Sequence, residues 1–310
     1  MNASRDLREG GRWTLLQRAK NDVLWLLALL ALAATRRLRP RALRAVGRTL
    51  GHTAHLFVAS ARRTARENVA RVYPDMRMRD QRDLVLRCFL ALGELLADTV
   101  AMLRSKAALS PLPSDEARAV IEGARAEGRG VVFASAHLGP WERVAASLVA
   151  AGVPLIALAR ESYDPRFSRL YEELRGAHGV QVVWRARPGA AARILRTLRG
   201  GGVLGIPMDL RSRVPSCDAP FLGHPAPTAI GPARIALRAR APVVVGTAAP
   251  GPDGSVVITA TRIDSSGLAC DDAGARELTR RINAELSRRI LALPHGWVWM
   301  HDRWMAGTGV

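Results

Sequence analysis

After Gly130 the sequence falls into a rhythm that few folds accommodate. "VVFASA", "PLIALA", "VQVVW", "VLGIPM", "PVVVGTA" and "VVITATRI" are short apolar runs, and segments of helical character separate them. Runs that are apolar at nearly every position belong to strands buried on both faces, and the intervening helices supply the crossovers that parallel neighbours need. Residues 129–310 are therefore expected to form an α/β core, a mostly parallel central sheet flanked by helices. Residues 40–128 read differently. In "RDQRDLVLRCFLALGELLADTVAMLR" the positions Leu84, Cys88, Leu92, Leu95, Leu96, Thr99 and Leu103 recur at three- and four-residue steps, the pattern of an amphipathic helix. Ser114 is expected to cap the next helix, which begins at "DEARAVIEGARAEG". The domain over 40–310 is thus helical over 40–128 and α/β over 129–310.

Residues 1–39 are set apart by "VLWLLALLALAA" at 23–34, the most apolar run of the chain. It falls short of the roughly 20 residues that span a bilayer. Arg12, Arg18 and Lys20 precede it, and Arg36, Arg37, Arg39, Arg41 and Arg44 follow it. A spanning helix normally carries its excess of cations on one side, so basic flanks on both sides point to a helix lying along an anionic cytoplasmic leaflet. The tryptophans at 13 and 25 suit such an interface, and "RRLRPR" just beyond the run opposes export of the chain as a secretory protein. A buried helix of the same length is the alternative.

The charge balance widens the point: 46 Lys plus Arg stand against 27 Asp plus Glu, a net charge of +19 carried almost wholly by arginine. An acidic partner is expected, whether nucleic acid, anionic lipid, phosphorylated sugar or an acidic carrier protein. Nucleic acid is disfavoured, because the arginines are spread along the chain with no RNP-like aromatic motif and no concentrated basic arm. Cys88, Cys217 and Cys270 are widely spaced, which argues against a disulfide framework or a zinc site and for a reducing compartment. No GxGxxG or GxxxxGK[ST] motif marks a nucleotide phosphate.

Chemistry is most legible in "VVFASAHLGPWERV" (131–144). The run delivers His137 to the carboxyl end of a strand, where open α/β sheets place their crevices. Gly139 permits a tight turn, Pro140 suits a helix start, and the turn back brings Glu142 within reach of the imidazole. A carboxylate on one imidazole nitrogen leaves the other free to take a proton from a hydroxyl that attacks an acyl carbon. The same spacing also fits an acidic residue favoured by the helix dipole beside an ordinary strand-end histidine.

"SAHLGPWE" resembles the HxxxxD/E block of the glycerolipid-type acyltransferases, in the form found in the bacterial lipid A biosynthesis (late) acyltransferases. "RRTARENVARVYPDM" (62–76) is similar to the Arg-rich, Asn-containing stretch before that family's catalytic region. "ALARESYDP" (157–165) is similar to its second block, "GIPMD" (205–209) and "APFLGHPAPTAIGPARIALRARAPVV" (219–244) to its Asp-containing strand end and FxG segment, and "LPHGWVWMHDRW" (293–304) to its aromatic terminal box. Leu210 stands where the family usually has Gln, and Asp164 where it often has Asn.

The resemblance implies a membrane-associated enzyme on the cytoplasmic face of the bacterial inner membrane. It would move a fatty acyl chain from an acyl carrier protein or CoA thioester to a lipid A precursor hydroxyl, with the thioester as co-substrate and neither a further cofactor nor a metal. His137 is then the expected general base and Glu142 its orienting partner. Arg160, Asp209 and Arg213 are expected to bind substrate, through phosphate, thioester oxygen or acceptor hydroxyls. Trp297, Trp299, Trp304 and Arg303 either seal one end of the acyl channel or reach the membrane interface, or else pack against the sheet. Acyl transfer to another membrane lipid, such as a phosphatidylinositol mannoside or a lysophospholipid, and a non-catalytic basic membrane-binding protein are the competing readings.

Overall fold

In the computed structural model, residues 12–35, 38–102, 112–211, 214–250 and 256–304 are described. Seven strands form one sheet: β1 (Leu112–Pro113), β2 (Val131–Ser135), β3 (Leu155–Ala159), β4 (Gln181–Trp184), β5 (Val203–Pro207), β8 (Val243–Pro250) and β9 (Val256–Ile263). Their order is β1-β9-β8-β2-β5-β3-β4, and every neighbouring pair is parallel except β8 with β9. Six of the seven are the apolar runs; β1, only two residues long, is the addition, and it draws a piece of the helical region into the sheet.

The continuous apolarity of the strands has its cause in their two covered faces. Alternate residues of β2 enter different cores: Val132 and Ala134 join Leu278, Ile282 and Leu286 of α10 (Asp272–Ala292). Val131 and Phe133 join Val144 and Leu148 of α6 (Trp141–Ala150) and Ile121 of α5 (Asp115–Ala126). Ser114 caps α5 as expected, its hydroxyl accepting from the Ala117 amide at 3.1 Å.

Ahead of the sheet come α1 (Leu15–Thr35), α2 (Pro40–Phe57), α3 (Ala59–Val72) and α4 (Met78–Met102). α2 and α4 approach until backbones touch. A Cβ built on Gly93 would lie 2.1 Å from the Gly47 carbonyl oxygen, so no side chain fits at that crossing. Among the described residues no helix is long and apolar enough to cross a membrane.

Three further helices, α7 (Pro165–Ala177), α8 (Ala190–Arg199) and α9 (Gly231–Ala239), complete the cover. A separate antiparallel hairpin, β6 (Ser216–Phe221) and β7 (His224–Ala229), turns through Leu222 and Gly223, both with positive φ, the two-residue loop whose twist suits a hairpin. The terminal segment locks these parts together. Asn68 of α3 donates to the carbonyls of Trp299 and His301 at 2.8 and 2.7 Å. Arg303, fully buried, donates to Pro227 O and Thr228 Oγ1 of the hairpin and lies over the Phe221 ring. Burial pulls its guanidinium down to about 10, still charged at neutral pH.

Candidate active site

Parallel register decides which side chains meet. β2 and β5 pair from Val131↔Val203 to Ser135↔Pro207, and the Met208 amide extends the ladder to the Ser135 carbonyl at 2.9 Å. Two residues beyond the last pair stand His137 on one strand end and Asp209 on the other. Asp209 is wholly buried, and three N–H groups converge on its carboxylate. The His137 imidazole Nδ1 lies 2.9 Å from Oδ1, while the His137 amide and the Trp297 indole Nε1 each donate to Oδ2 at 2.8 Å.

Charge follows from that geometry. Burial, the largest influence on Asp209, works against its ionised form, but the nearby imidazolium charge and the three donors hold the carboxyl below its ordinary range. Burial likewise opposes charge on His137, and the Asp209 carboxylate, assisted by Glu142, outweighs it and raises the imidazole above its ordinary value. An ionised carboxylate only accepts, so Nδ1 carries the ring hydrogen in the neutral imidazole. Nε2, the nitrogen that Asp209 does not engage, is then the basic one.

Glu142 stands elsewhere. It is buried in the first turn of α6, where Arg175 of α7 grips it with two hydrogen bonds, Nε to Oε2 at 2.9 Å and Nη2 to Oε1 at 2.6 Å. The expectation that Glu142 hydrogen-bonds and orients His137 is therefore corrected: Asp209 occupies Nδ1, and Glu142 acts on the ring only through its charge. The physical reason is the turn itself. Gly139, at φ +59°, and Pro140 at the N-cap start α6 in a direction that carries Glu142 towards α7. Asp209 as a binder of acceptor hydroxyls is corrected too, since it is buried and filled by N–H donors.

A cleft of about 650 Å³ opens over the carboxyl ends of β2, β5, β3 and β4. The His137 side chain, 27% exposed, lines it. Leu158, Ile206, Met208 and Ile235 supply apolar wall, and among the described residues of the lining Arg160, Arg175, Arg185, Arg211 and Arg234 supply cations and Glu142 a carboxylate, with Asp302 and Asp272 pairing Arg211 and Arg234 from outside it. The arrangement is an oriented imidazole base beside a groove with room for an apolar chain and a polar rim for an anionic group.

The chain matches the family model of the bacterial lipid A biosynthesis acyltransferases over residues 14–306. It belongs to that family. A comparison with curated proteins finds no match. The enzyme is thus an acyltransferase of lipid A biosynthesis, and the motifs shared with its family acquire positions. The HxxxxE block and the Asp-containing strand end meet at the head of β2 and β5. The second block brings Arg160 to the cleft. The aromatic box of this acyltransferase packs inside rather than reaching a channel mouth: Trp297 and Trp299 are buried, Gly296 accepts from the Gly139 amide at 2.9 Å, and Trp297 holds Asp209. Arg213, expected to bind substrate, lies outside the described residues.

Three participants escaped the reading of the sequence: Asp209 as the partner of His137, Trp297 as the donor to Asp209, and Arg175. A signal existed for the first. Gly130 and Gly202 each precede an apolar run, and His137 and Asp209 each come seven residues after their glycine. Strands entering the sheet side by side and in register bring those two positions together.

Proposed function

We propose that this acyltransferase moves a fatty acyl chain from an acyl carrier protein or CoA thioester to a hydroxyl of a lipid A precursor, with His137 as general base oriented by Asp209. The observation that carries the reading is the Nδ1–Asp209 contact of an imidazole that lines a cleft with both apolar wall and arginine rim. As the acceptor oxygen forms its bond to the thioester carbon, its proton passes to Nε2. When the C–S bond breaks, the imidazolium returns that proton to the departing thiolate. The Asp209 charge stabilises the imidazolium between the two steps, a contribution of about 10²- to 10⁴-fold for a positioned base. The thioester is the co-substrate and the chemistry calls for no further cofactor.

Membrane association belongs to the same reading. Leu15, Leu16, Val23, Leu26, Leu27 and Leu30 of α1 are exposed together, an apolar row suited to the acyl boundary of a leaflet. α1 is fastened to the first turn of α7 by Asp22 with Arg166 at 2.7 Å and by Trp25 against Phe167. The basic balance of the chain favours the anionic cytoplasmic leaflet of the inner membrane and an acidic carrier protein.

The test is acyl transfer from acyl carrier protein and CoA donors to lipid A precursors, followed by mass spectrometry, for the parent enzyme and His137→Ala. The expected result is an acceptor heavier by one acyl chain in the parent alone. Transfer undiminished in His137→Ala would remove the base from the mechanism, and an acyl chain found on a different membrane lipid would replace the acceptor.

A further inference from the structure

We infer that the outer faces of α8 and α9 are the docking surface for an acidic acyl carrier protein, so that donor and lipid acceptor reach His137 from opposite faces of the sheet. The inference rests on the acyl-transfer reading and gives its donor a place.

Charge carries it. Arg193, Arg196 and Arg199 of α8 and Arg234, Arg238 and the C-capping Arg240 of α9 bring six cations, and neither helix holds an Asp or Glu. Nearly a third of the net charge of +19 thus sits on two helices that pack side by side, and all six but Arg234 are exposed. Other arginine-rich helices have their charge answered. Arg44 and Arg48 of α2 meet Asp98 and Glu94 of α4 at 2.8 and 2.7 Å, and in α10 Glu277 takes Arg280 and Arg281 while Glu285 takes Arg288 and Arg289. On α8, Arg193 turns to neutral acceptors, Gln181 and the Val182 carbonyl. Among the described residues, Asp272 beside Arg234 is the one carboxylate paired with any of the six. A face of one sign draws a partner of the opposite sign and steers its approach.

The sheet separates this face from the leaflet. Ile194 and Leu198 of α8 and Ala233 and Ala236 of α9 enter the core of α10, whereas Leu174 of α7 enters the core of α6 on the other face. α1, with its apolar row, is fastened to α7. On α8 and α9 the only exposed large apolar side chain is Leu195, too little to seat among acyl chains. A soluble acidic protein fits here better than a lipid surface.

Reach agrees with this placement. α8 starts five residues after Arg185, which lines the cleft, and Arg234 and Ile235 of α9 line it too. From β4, beside α8, to β2 is three strands, about 14 Å at ~4.8 Å each. A carrier protein delivers its acyl thioester on a phosphopantetheine arm of about 13 skeletal bonds, roughly 16 Å when extended at ~1.2 Å per bond. Such an arm spans the gap.

The full chain, in neutral dodecyl maltoside micelles at low salt, is titrated into a fluorescently labelled bacterial acyl carrier protein bearing a dodecanoyl thioester, and anisotropy reads the binding. Arg196→Glu with Arg199→Glu, and separately Arg238→Glu, are expected to weaken binding about tenfold or more. Arg196→Lys with Arg199→Lys keeps the charge and should stay near the parent, which guards against misfolding. Arg63→Glu, at an exposed position of α3, should also bind like the parent. In acyl transfer, the ratio of kcat/KM for the carrier-borne donor to that for dodecanoyl-CoA should fall by the same factor as binding. Binding unchanged in the double Glu variant overturns the surface, as does an equal loss in Arg63→Glu, which would make the attraction a property of the whole chain. An equal fall in kcat/KM with both donors places the effect in the cleft and overturns it too. If no donor supports transfer while the α8 and α9 arginines still govern carrier binding, the reaction is misassigned and the docking surface stands.

Discussion

The sheet has two halves, and each holds a buried ion of the kind that sequence inspection marks as functional. At the carboxyl ends of β2 and β5, Asp209 is filled by N–H donors, but the imidazole it holds keeps one nitrogen for the cleft. Across the sheet, against β8 and β9, Arg289 of α10 borders a smaller cavity of about 220 Å³, but its guanidinium is engaged by the protein on both edges. Its Nε meets Glu285 at 2.8 Å, its Nη1 meets Thr259 Oγ1 at 2.7 Å, and its Nη2 meets Thr261 Oγ1 at 2.8 Å. Burial lowers the Arg289 value, with Glu285 working against it. Burial and pairing therefore do not separate structure from chemistry. What separates them is whether a polar atom is left over and whether it opens onto space.

The strongest way to break this comparison is Asp209→Asn, which keeps shape and removes charge. If the amide oxygen faces the His137 amide and the Trp297 indole, its NH₂ faces Nδ1 and forces the ring hydrogen to Nε2, where a base cannot have it. The opposite orientation sets donors against donors. A loss of about 10³- to 10⁴-fold in kcat is expected, with circular dichroism unchanged. In the parent enzyme the activity is expected to fall as pH drops through a value above the 6.5 of an ordinary imidazole. Stability runs the other way. A raised histidine contributes to folding below its unfolded value, and that contribution is lost as pH rises through the folded one. Asp209, whose value is lowered from 3.8, contributes above that pH and ceases to as the pH falls through its folded value. A limb at or below 6.5 would show that the carboxylate does not govern the base.

Glu142→Gln comes next. It leaves the Arg175 guanidinium half of a broken buried pair, at a cost of about 3 kcal/mol in stability. Urea unfolding measures this. Adding Arg175→Gln should restore most of the lost stability and, with it, much of the activity. Activity lost in the single variant at unchanged stability, with no recovery in the double, would return Glu142 to the role of orienting carboxylate.

The smallest effect on chemistry is expected from the half around Arg289. Arg289→Met should lower stability by about 2 kcal/mol, because Glu285 keeps Arg288 as a partner while the hydroxyls of Thr247, Thr259 and Thr261 each lose a guanidinium donor. kcat per folded molecule, measured well below the unfolding temperature, should match the parent. A fall in kcat would mean that the two halves are coupled.

Much of this architecture is legible along the chain. Six strands announce themselves by unbroken apolarity, and Ser114 caps α5 where its position before the helix predicts. The β6–β7 hairpin is not legible, because Pro220, Pro225 and Pro227 argue against strands and are tolerated here only in a two-stranded ribbon. β1 is too short to announce itself. At the site, His137 is found by its position at a strand end and Arg160 by the likeness of its block to the family's. Asn68 stands out in its motif, but its contact with the terminal box, 231 and 233 residues away, does not.

Local order over most of the chain therefore came from the sequence alone: the six long strands of the sheet, the helical character of the segments between them, and that a histidine ends the first buried run. Those properties depend on side-chain periodicity within a few residues. Only the tertiary structure decided that β5 lies beside β2, and with it that Asp209 rather than Glu142 holds the imidazole. The choice between a carboxylate five residues away and one 72 residues away is made by strand order and turn direction, and both are set by how the whole sheet packs.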